Sequence, residues 1–175
     1  MENIQEQTIL QPVNDKSANN IVQYLTFFVG KETYGIAVEQ VKEVIEYHQV
    51  YKLPKVPPYI RGVINLRGEI LPVIDLSYLF YSRKSEISPS TGIIFLECKT
   101  SAGITVLGVI IDSVESVTDI QSGNIESEFS FGEKIRHDYI DGVGKVDGRF
   151  IILLNIKAVL NIEELSKFNS GKVIH

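Results

Sequence analysis

Two positions brought into correspondence by an internal repeat, one of them acidic, are the nearest this chain comes to a set of side chains for general acid–base chemistry. Asp75 follows the apolar run Ile70-Leu71-Pro72-Val73-Ile74, and Asn155 follows the matching run Ile151-Ile152-Leu153-Leu154. A proton-sharing dyad of the aspartic-protease kind needs two acids on small-residue loops. Here the second position is Asn, and both lie within hydrophobic runs. Glu39 and Asp112 also correspond, but both are expected to start helices, where a carboxylate satisfies free N–H groups and the dipole. His48, His137 and His175 have no carboxylate, cysteine or second histidine at metal-ligand spacing and read as surface residues. Cys98 stands in an apolar run without an activating base, as a small buried thiol would. No Gly-x-Ser-x-Gly elbow, Walker loop or Gly-x-Gly-x-x-Gly follows a strand. The chemistry-bearing residues point away from an enzyme and imply no cofactor.

The repeat matters more than the reactive groups. Tyr59-Ile60-Arg61-Gly62-Val63-Ile64-Asn65-Leu66-Arg67-Gly68 aligns without a gap on Tyr139-Ile140-Asp141-Gly142-Val143-Gly144-Lys145-Val146-Asp147-Gly148. Upstream, Tyr34-Gly35-Ile36-Ala37-Val38 parallels Leu107-Gly108-Val109-Ile110-Ile111, and the parallel runs on to Val44 and Val117. Two copies are too few for a solenoid and imply two related half-domains. Positions alike in both halves serve the fold, and positions that differ are free for function.

In the first half, Val22 to Val29, a turn at Gly30 to Thr33 and Tyr34 to Val38 read as a hairpin. Val38, Val41, Val44 and Ile45 recur at helical spacing, which predicts a short amphipathic helix over Val38 to Ile45. Gln49 to Leu53 has strand chemistry, and Pro54, Pro57 and Pro58 enforce an extended loop. A last hairpin runs from Arg61 to Leu76 and turns at Arg67-Gly68. The second half repeats the order, with strands at Ile93 to Glu97 and Ile104 to Ile110, a helical or bent segment at Asp112 to Val117, and a hairpin from Tyr139 to Ile156. A long loop, roughly 121–138, replaces the proline loop. Asn161 to Glu164 reads as a capped helix start, with Leu165 and Phe168 docking that helix. Strands this short protect their edges by closing. The expected fold is mainly β: two five-stranded β-barrel subdomains related by internal duplication, with short helices and a C-terminal helix. The expected boundaries are a disordered tail over 1–20, a first barrel over about 21–81 with the C-terminal helix nearby, a polar linker over 82–91, a second barrel over about 92–160, and a tail over 169–175.

Composition removes further classes. The chain has 175 residues, 44% hydrophobic and 22% charged, with a net charge of -5 and a pI near 5.2. Its dispersed Lys and Arg suit neither nucleic acid nor a polybasic membrane contact. The N-terminal Met-Glu-Asn-Ile-Gln lacks the basic and apolar regions of a signal peptide, and no apolar stretch reaches membrane-helix length, so a cytosolic protein is expected. For binding, the hairpin tips diverge most: Arg67 in one is Asp147 in the other. Glu43 is matched by Ser116, and Phe129 and Phe131 stand in the long polar loop, either pinning it or anchoring a partner. The residues alone leave open an adaptor and a small ligand-binding or hydrolytic double β-barrel.

The hairpin Gly62-Val63-Ile64-Asn65-Leu66-Arg67-Gly68-Glu69-Ile70-Leu71-Pro72-Val73-Ile74-Asp75-Leu76 resembles the signature of the CheW family of chemotaxis coupling proteins. Tyr34-Gly35-Ile36 and Gly142-Val143-Gly144 fit as well, and the resemblance extends from about Val22 to Phe168. It implies two SH3-like barrels and a stand-alone cytoplasmic adaptor, recruited to membrane-associated receptor arrays without entering the membrane. Its implied partners are the cytoplasmic tip of methyl-accepting chemoreceptors and the regulatory domain of the chemotaxis histidine kinase CheA. The resemblance carries a receptor-binding role onto Val41, Glu43, Ile93, Asn65, Leu66, Arg67 and Gly68, with the valines and Ile93 as apolar wall and Arg67 as the orienting charge. It carries a kinase-binding role onto Glu126 and Phe129. Glu126 departs from the basic residue that some relatives place there, and Ser77, which is given no role, from the Arg that many relatives place after Asp-Leu.

Overall fold

The computed structural model describes residues 20–101, 103–127 and 137–160. The first hairpin is β1 (Ile21–Val29) and β2 (Glu32–Ala37), and a single 3-10 turn, Val38–Gln40, leads into β3 (Val41–Glu46). β4 (Ile60–Leu66) and β5 (Glu69–Asp75) form the second hairpin, closed by helix α1 (Leu76–Tyr81). After the 82–91 loop come β6 (Gly92–Thr100), β7 (Gly103–Ile111), β8 (Ser113–Gln121), and short β9 (Ile125–Glu126). A last hairpin of β10 (Ile140–Val146) and β11 (Arg149–Leu154) ends in helix α2 (Ile156–Leu160). The mainly β class expected from sequence is what the chain adopts.

The helix expected over Val38 to Ile45 is a 3-10 turn followed by a strand, and the segment after Asp112 is likewise a strand, β8. The helical spacing of Val41, Val44 and Ile45 comes from a bulge between Val41 and Glu43 in the pairing with β6, which breaks the strand's period of two. Neither Glu39 nor Asp112 therefore starts an α-helix. Asp112 instead accepts the Gly30 N–H at 2.8 Å. Of the strand expected at Gln49 to Leu53, only an isolated bridge between Tyr51 and Val63 forms. The helix start expected at Asn161, the docking of Leu165 and Phe168, and Phe129 and Phe131 lie outside the described residues.

The sheets do not follow the two sequence halves. Sheet A has the order β8-β1-β2-β11-β10-β9, and sheet B the order β3-β6-β7-β5-β4. Leaving aside short β9, the two orders match strand for strand under the repeat. Each sheet, however, takes its first hairpin from the other half, through parallel pairings of β2 with β11 and β7 with β5. Sheet B is thus built from a continuous stretch, residues 41–111, while sheet A is assembled from both sides of it. The boundaries 21–81 and 92–160 are corrected accordingly: contiguous repeats need not give contiguous sheets when hairpins are reciprocally exchanged.

Side chains alternate between cores. On β6, Ile93 and Phe95 enter a core private to sheet B with Ile64, Leu66, Leu71, Val73 and Ile110. Ile94, Leu96 and Cys98 on the opposite face enter a core shared with Phe27, Tyr34, Ile36, Ile152 and Leu154 of sheet A. Ile151 and Leu153 repeat this for sheet A, meeting Ile120. Both faces of the central strands are covered, which explains their uninterrupted apolar runs. Asp75 and Asn155, the matched pair weighed for an acid dyad, both cap helices: Asp75 Oδ1 accepts Ser77 N–H at 3.0 Å, and Asn155 Oδ1 accepts Ala158 N–H at 3.2 Å.

Candidate functional site: the hairpin tip and its ion pairs

The β4–β5 turn is made by Arg67 (φ 52°) and Gly68 (φ 90°), and its counterpart by Asp147 (φ 49°) and Gly148 (φ 80°). Positive φ at both central residues is the two-residue hairpin geometry that matches strand twist. Asn65 Oδ1 accepts the Gly68 N–H at 2.9 Å and firms the turn. This geometry aims Arg67 across the open side of sheet B onto edge strand β3, where its guanidinium grips both oxygens of Glu43, the Nη2 to Oε2 bond being 2.6 Å. That bond holds the Glu43 carboxyl below the usual carboxylate range and pushes Arg67 further up. Beside it, Lys42 Nζ stands 3.8 Å from Glu97 and 4.0 Å from Glu69. Val44 and Ile70 (57% exposed) present the apolar surface of this end.

The sequence-selected residues divide. Glu43, Asn65, Arg67 and Gly68 come together at one exposed tip. Val41 is half-buried and packs on the shared core, while Leu66 and Ile93 are buried in the private core of sheet B. Ile93 therefore supports the wall from behind and offers no surface, because its odd register on β6 points it inward. Glu126 is exposed on β9 beside Val143 of β10. Sequence reading passed over Lys42, Glu69 and Ile70; for the two charged residues the signal was charge reversal at equivalent positions, Lys42 being matched by Glu115 and Glu69 by Arg149. The structure pairs these two as well. Arg149 grips both Glu115 oxygens, with Nη1 to Oε1 at 2.7 Å, and Thr26 Oγ1 donates to Glu115 at 3.2 Å. Glu115 is accordingly held below the usual carboxylate range, with the Arg149 hydrogen bond as the main cause. Phe150 stands 63% exposed beneath Lys145, whose Nζ lies 5.9 Å from the ring centroid.

A second difference between the halves lies at the hairpin bases. Asp75 is 1% exposed. Beyond its capping bonds it accepts the Ser85 N–H at 2.9 Å and hydroxyl at 2.7 Å, and Arg61 Nη2 lies 3.4 Å away. Arg61 also donates to the Ser85 carbonyl at 3.0 Å, while its Nε is buried without a partner. The 82–91 loop is thereby clamped to sheet B. In the second half Asp141 stands where Arg61 does, its carboxyl pushed up by burial and partly relieved by a hydrogen bond with Asn155.

No reactive constellation accompanies these sites. Among the described residues no three His, Cys, Asp or Glu side chains are grouped to hold a metal ion, and no helix is long and apolar enough to cross a membrane. Burial pushes the Cys98 thiol up to about 11, away from the thiolate a nucleophile requires. A cavity of about 370 Å³ between α1 and α2 is lined by Tyr59, Leu79, Asp138, Tyr139, Ala158, Val159 and Leu160, a set with one carboxylate and no nucleophile–base pair.

The chain matches known proteins over most of its length. Residues 23–164 match the model of the CheW-like domain. The chain is 33% identical over 144 residues to the chemotaxis protein CheW of Klebsiella aerogenes, covering 82% of this chain and 84% of that protein. It is 30% identical over 143 residues to protein FrzA of Myxococcus xanthus, covering 79% and 84%. The crystal structure of the scaffolding protein TtCheW from Thermoanaerobacter tengcongensis superposes with a TM-score of 0.71 at 31% identity, covering 80% of this chain and 88% of that one.

Proposed function

This chain belongs to the CheW-like family, is a non-catalytic scaffold of chemotaxis signalling, and, we propose, couples the cytoplasmic tips of methyl-accepting chemoreceptors to the regulatory domain of the histidine kinase CheA. It would do so in the cytoplasm, within receptor arrays at the membrane. The observation that carries this reading is the β4–β5 tip: a preorganised Arg67–Glu43 pair, with Val44 and Ile70 exposed on β3 and β5, on a frame whose rigid two-residue turn fixes its direction. A receptor tip is a helical hairpin, and this end of sheet B offers exposed apolar side chains and one fixed charge pair against which its helices can be registered. Glu126, exposed on β9, is assigned to the kinase together with Phe129, which lies outside the described residues. Each contact need only be modest, since effective concentration within an array multiplies weak affinities.

The test is Arg67→Asp, which installs the residue of the other half in a turn already shown to accept it, because Asp147 holds the same left-handed conformation. Receptor association, measured by co-sedimentation with receptor-bearing membranes, is expected to fall at least tenfold, with the melting temperature nearly unchanged. Full retention of receptor association would remove the tip from the interface. Glu126→Arg, measured against purified kinase, separates the second assignment from the first.

A further inference from the structure

The β1–β2 hairpin is tethered to the rest of the chain on one side only for the residues described, by the crossing from Ala37 through the turn Val38–Gln40 to Val41. Its strand partners lie far along the sequence. β1 pairs with β8 from Ile21↔Gln121 to Phe28↔Ser113, with a bulge at Thr26/Phe27, and β2 pairs with β11 at Tyr34 and Gly35. Phe27, Val29, Tyr34 and Ile36 are fully or almost fully buried. The equivalent hairpin β6–β7 is different, being continued at both ends by described chain, the 82–91 loop before it and β8 after it. Sheet A therefore consists of a slot between β8 and β11 and a separable insert that fills it.

We propose that the β1–β2 hairpin is an exchangeable element, and that the slot between β8 and β11 accepts the same hairpin from a second copy of this chain. Exchange of an identical element rebuilds every strand pairing and core contact, changing only the crossing. The slot selects its own hairpin over other strands. It requires the bulge at Thr26/Phe27 opposite Ser116/Val114, the inward set of Phe27, Tyr34 and Ile36, and the bond from Gln23 Nε2 to Asp119 Oδ1 at 3.0 Å. The short tether gives the chain's own hairpin a high effective concentration, so the closed monomer prevails until the crossing is shortened or protein is refolded at high concentration. Because the crossing runs directly into Val41 and Glu43, the exchanged pair would carry two Glu43–Arg67 tips on one assembly.

Deleting Glu39 and Gln40 from the full chain shortens the crossing. The expected product is a dimer by light scattering with an unchanged far-ultraviolet spectrum. In parallel, Gln23→Cys and Asp119→Cys are made in separate, otherwise intact chains. These positions face each other in the β1–β8 register, close enough for a disulfide, while buried Cys98 does not compete. The two proteins are mixed, refolded together from urea at high concentration and oxidised. The proposal expects the heterotypic 23–119 dimer to exceed both homotypic dimers at least tenfold, and this product carries the proposal even where the deletion variant fails to fold. It is overturned by a deletion variant that stays a folded monomer, or by a mixture in which heterotypic and homotypic products are equal.

Discussion

Asp75→Ala is expected to remove the most stability of any single polar substitution in the described structure. The carboxylate accepts the N–H groups of Ser77 and Tyr78 at the start of α1, and both donors of Ser85, and it stands beside Arg61. Removing one side of a buried ion pair costs roughly 3–5 kcal/mol. Losing an N-cap costs about 1 kcal/mol. One carboxylate serves both roles, so the two overlap, and a total of about 4 kcal/mol is expected. Set against the roughly 5–15 kcal/mol that holds a typical domain folded, this would put the variant near its unfolding threshold. Asp75→Asn copies Asn155, which keeps a capping oxygen but turns an amide NH2 toward donors, and about 2 kcal/mol is expected. Urea unfolding followed by circular dichroism measures both, with the slope unchanged if only stability has moved. Adding Arg61→Met removes the stranded charge as well, so the double variant should lose less than the sum of the singles. A loss below about 1 kcal/mol for Asp75→Ala, where a stranded buried partner should dominate, would refute the view that this carboxylate clamps the 82–91 loop. Strict additivity with Arg61→Met would do the same.

Ile93→Ala should cost about 2–5 kcal/mol through the cavity it leaves, while receptor affinity per folded molecule stays constant. An affinity loss without a stability loss would return Ile93 to the surface. Gly62→Ala should abolish folding at growth temperature, because a Cβ would lie 2.0 Å from the Tyr51 carbonyl oxygen at a φ of +148°. Gly68→Ala, with nothing within 4 Å, should cost only about 1–2 kcal/mol for its left-handed backbone, and equal melting temperatures for the two would contradict the close approach. Because Glu115 is held below its ordinary value of 4.5, its stabilisation is complete above that value and disappears as pH falls through the lower folded value. Glu115→Gln should therefore flatten the acid limb of a melting-temperature profile, and an unchanged limb would show that the Arg149 pair is not formed in solution.

The hairpins were legible because their turn residues carry the conformation directly: Arg67-Gly68 and Asp147-Gly148 sit where the repeat and the glycines put them. The β3 strand was not, because a bulge gives Val41, Val44 and Ile45 a helical spacing that no local signal distinguishes from a real helix. The partition of strands between sheets was hidden for another reason. A repeat records which segments are equivalent, whereas the choice between pairing within or across copies depends on long-range packing. Within the candidate site, Arg67 and Glu43 stood out because they differ between the halves. Leu66 and Ile93 were misplaced because an inward-facing apolar residue looks the same in sequence as an outward-facing one. Arg61, Asp75 and Ser85 form one cluster from three distant segments, and nothing local announces it.

The uneven build of the two sheets sets an order of events during synthesis. Sheet B has all its strands once Ile111 has left the ribosome, whereas the hairpin bearing Phe27, Val29, Tyr34 and Ile36 emerges first and has no β11 to meet until Leu154 is made. At ~5–20 residues per second that delay is on the order of ten seconds. Throughout it, a nascent apolar edge is open to chaperones and to neighbouring nascent chains, so the first of the described hairpins to be translated is among the last to find its place.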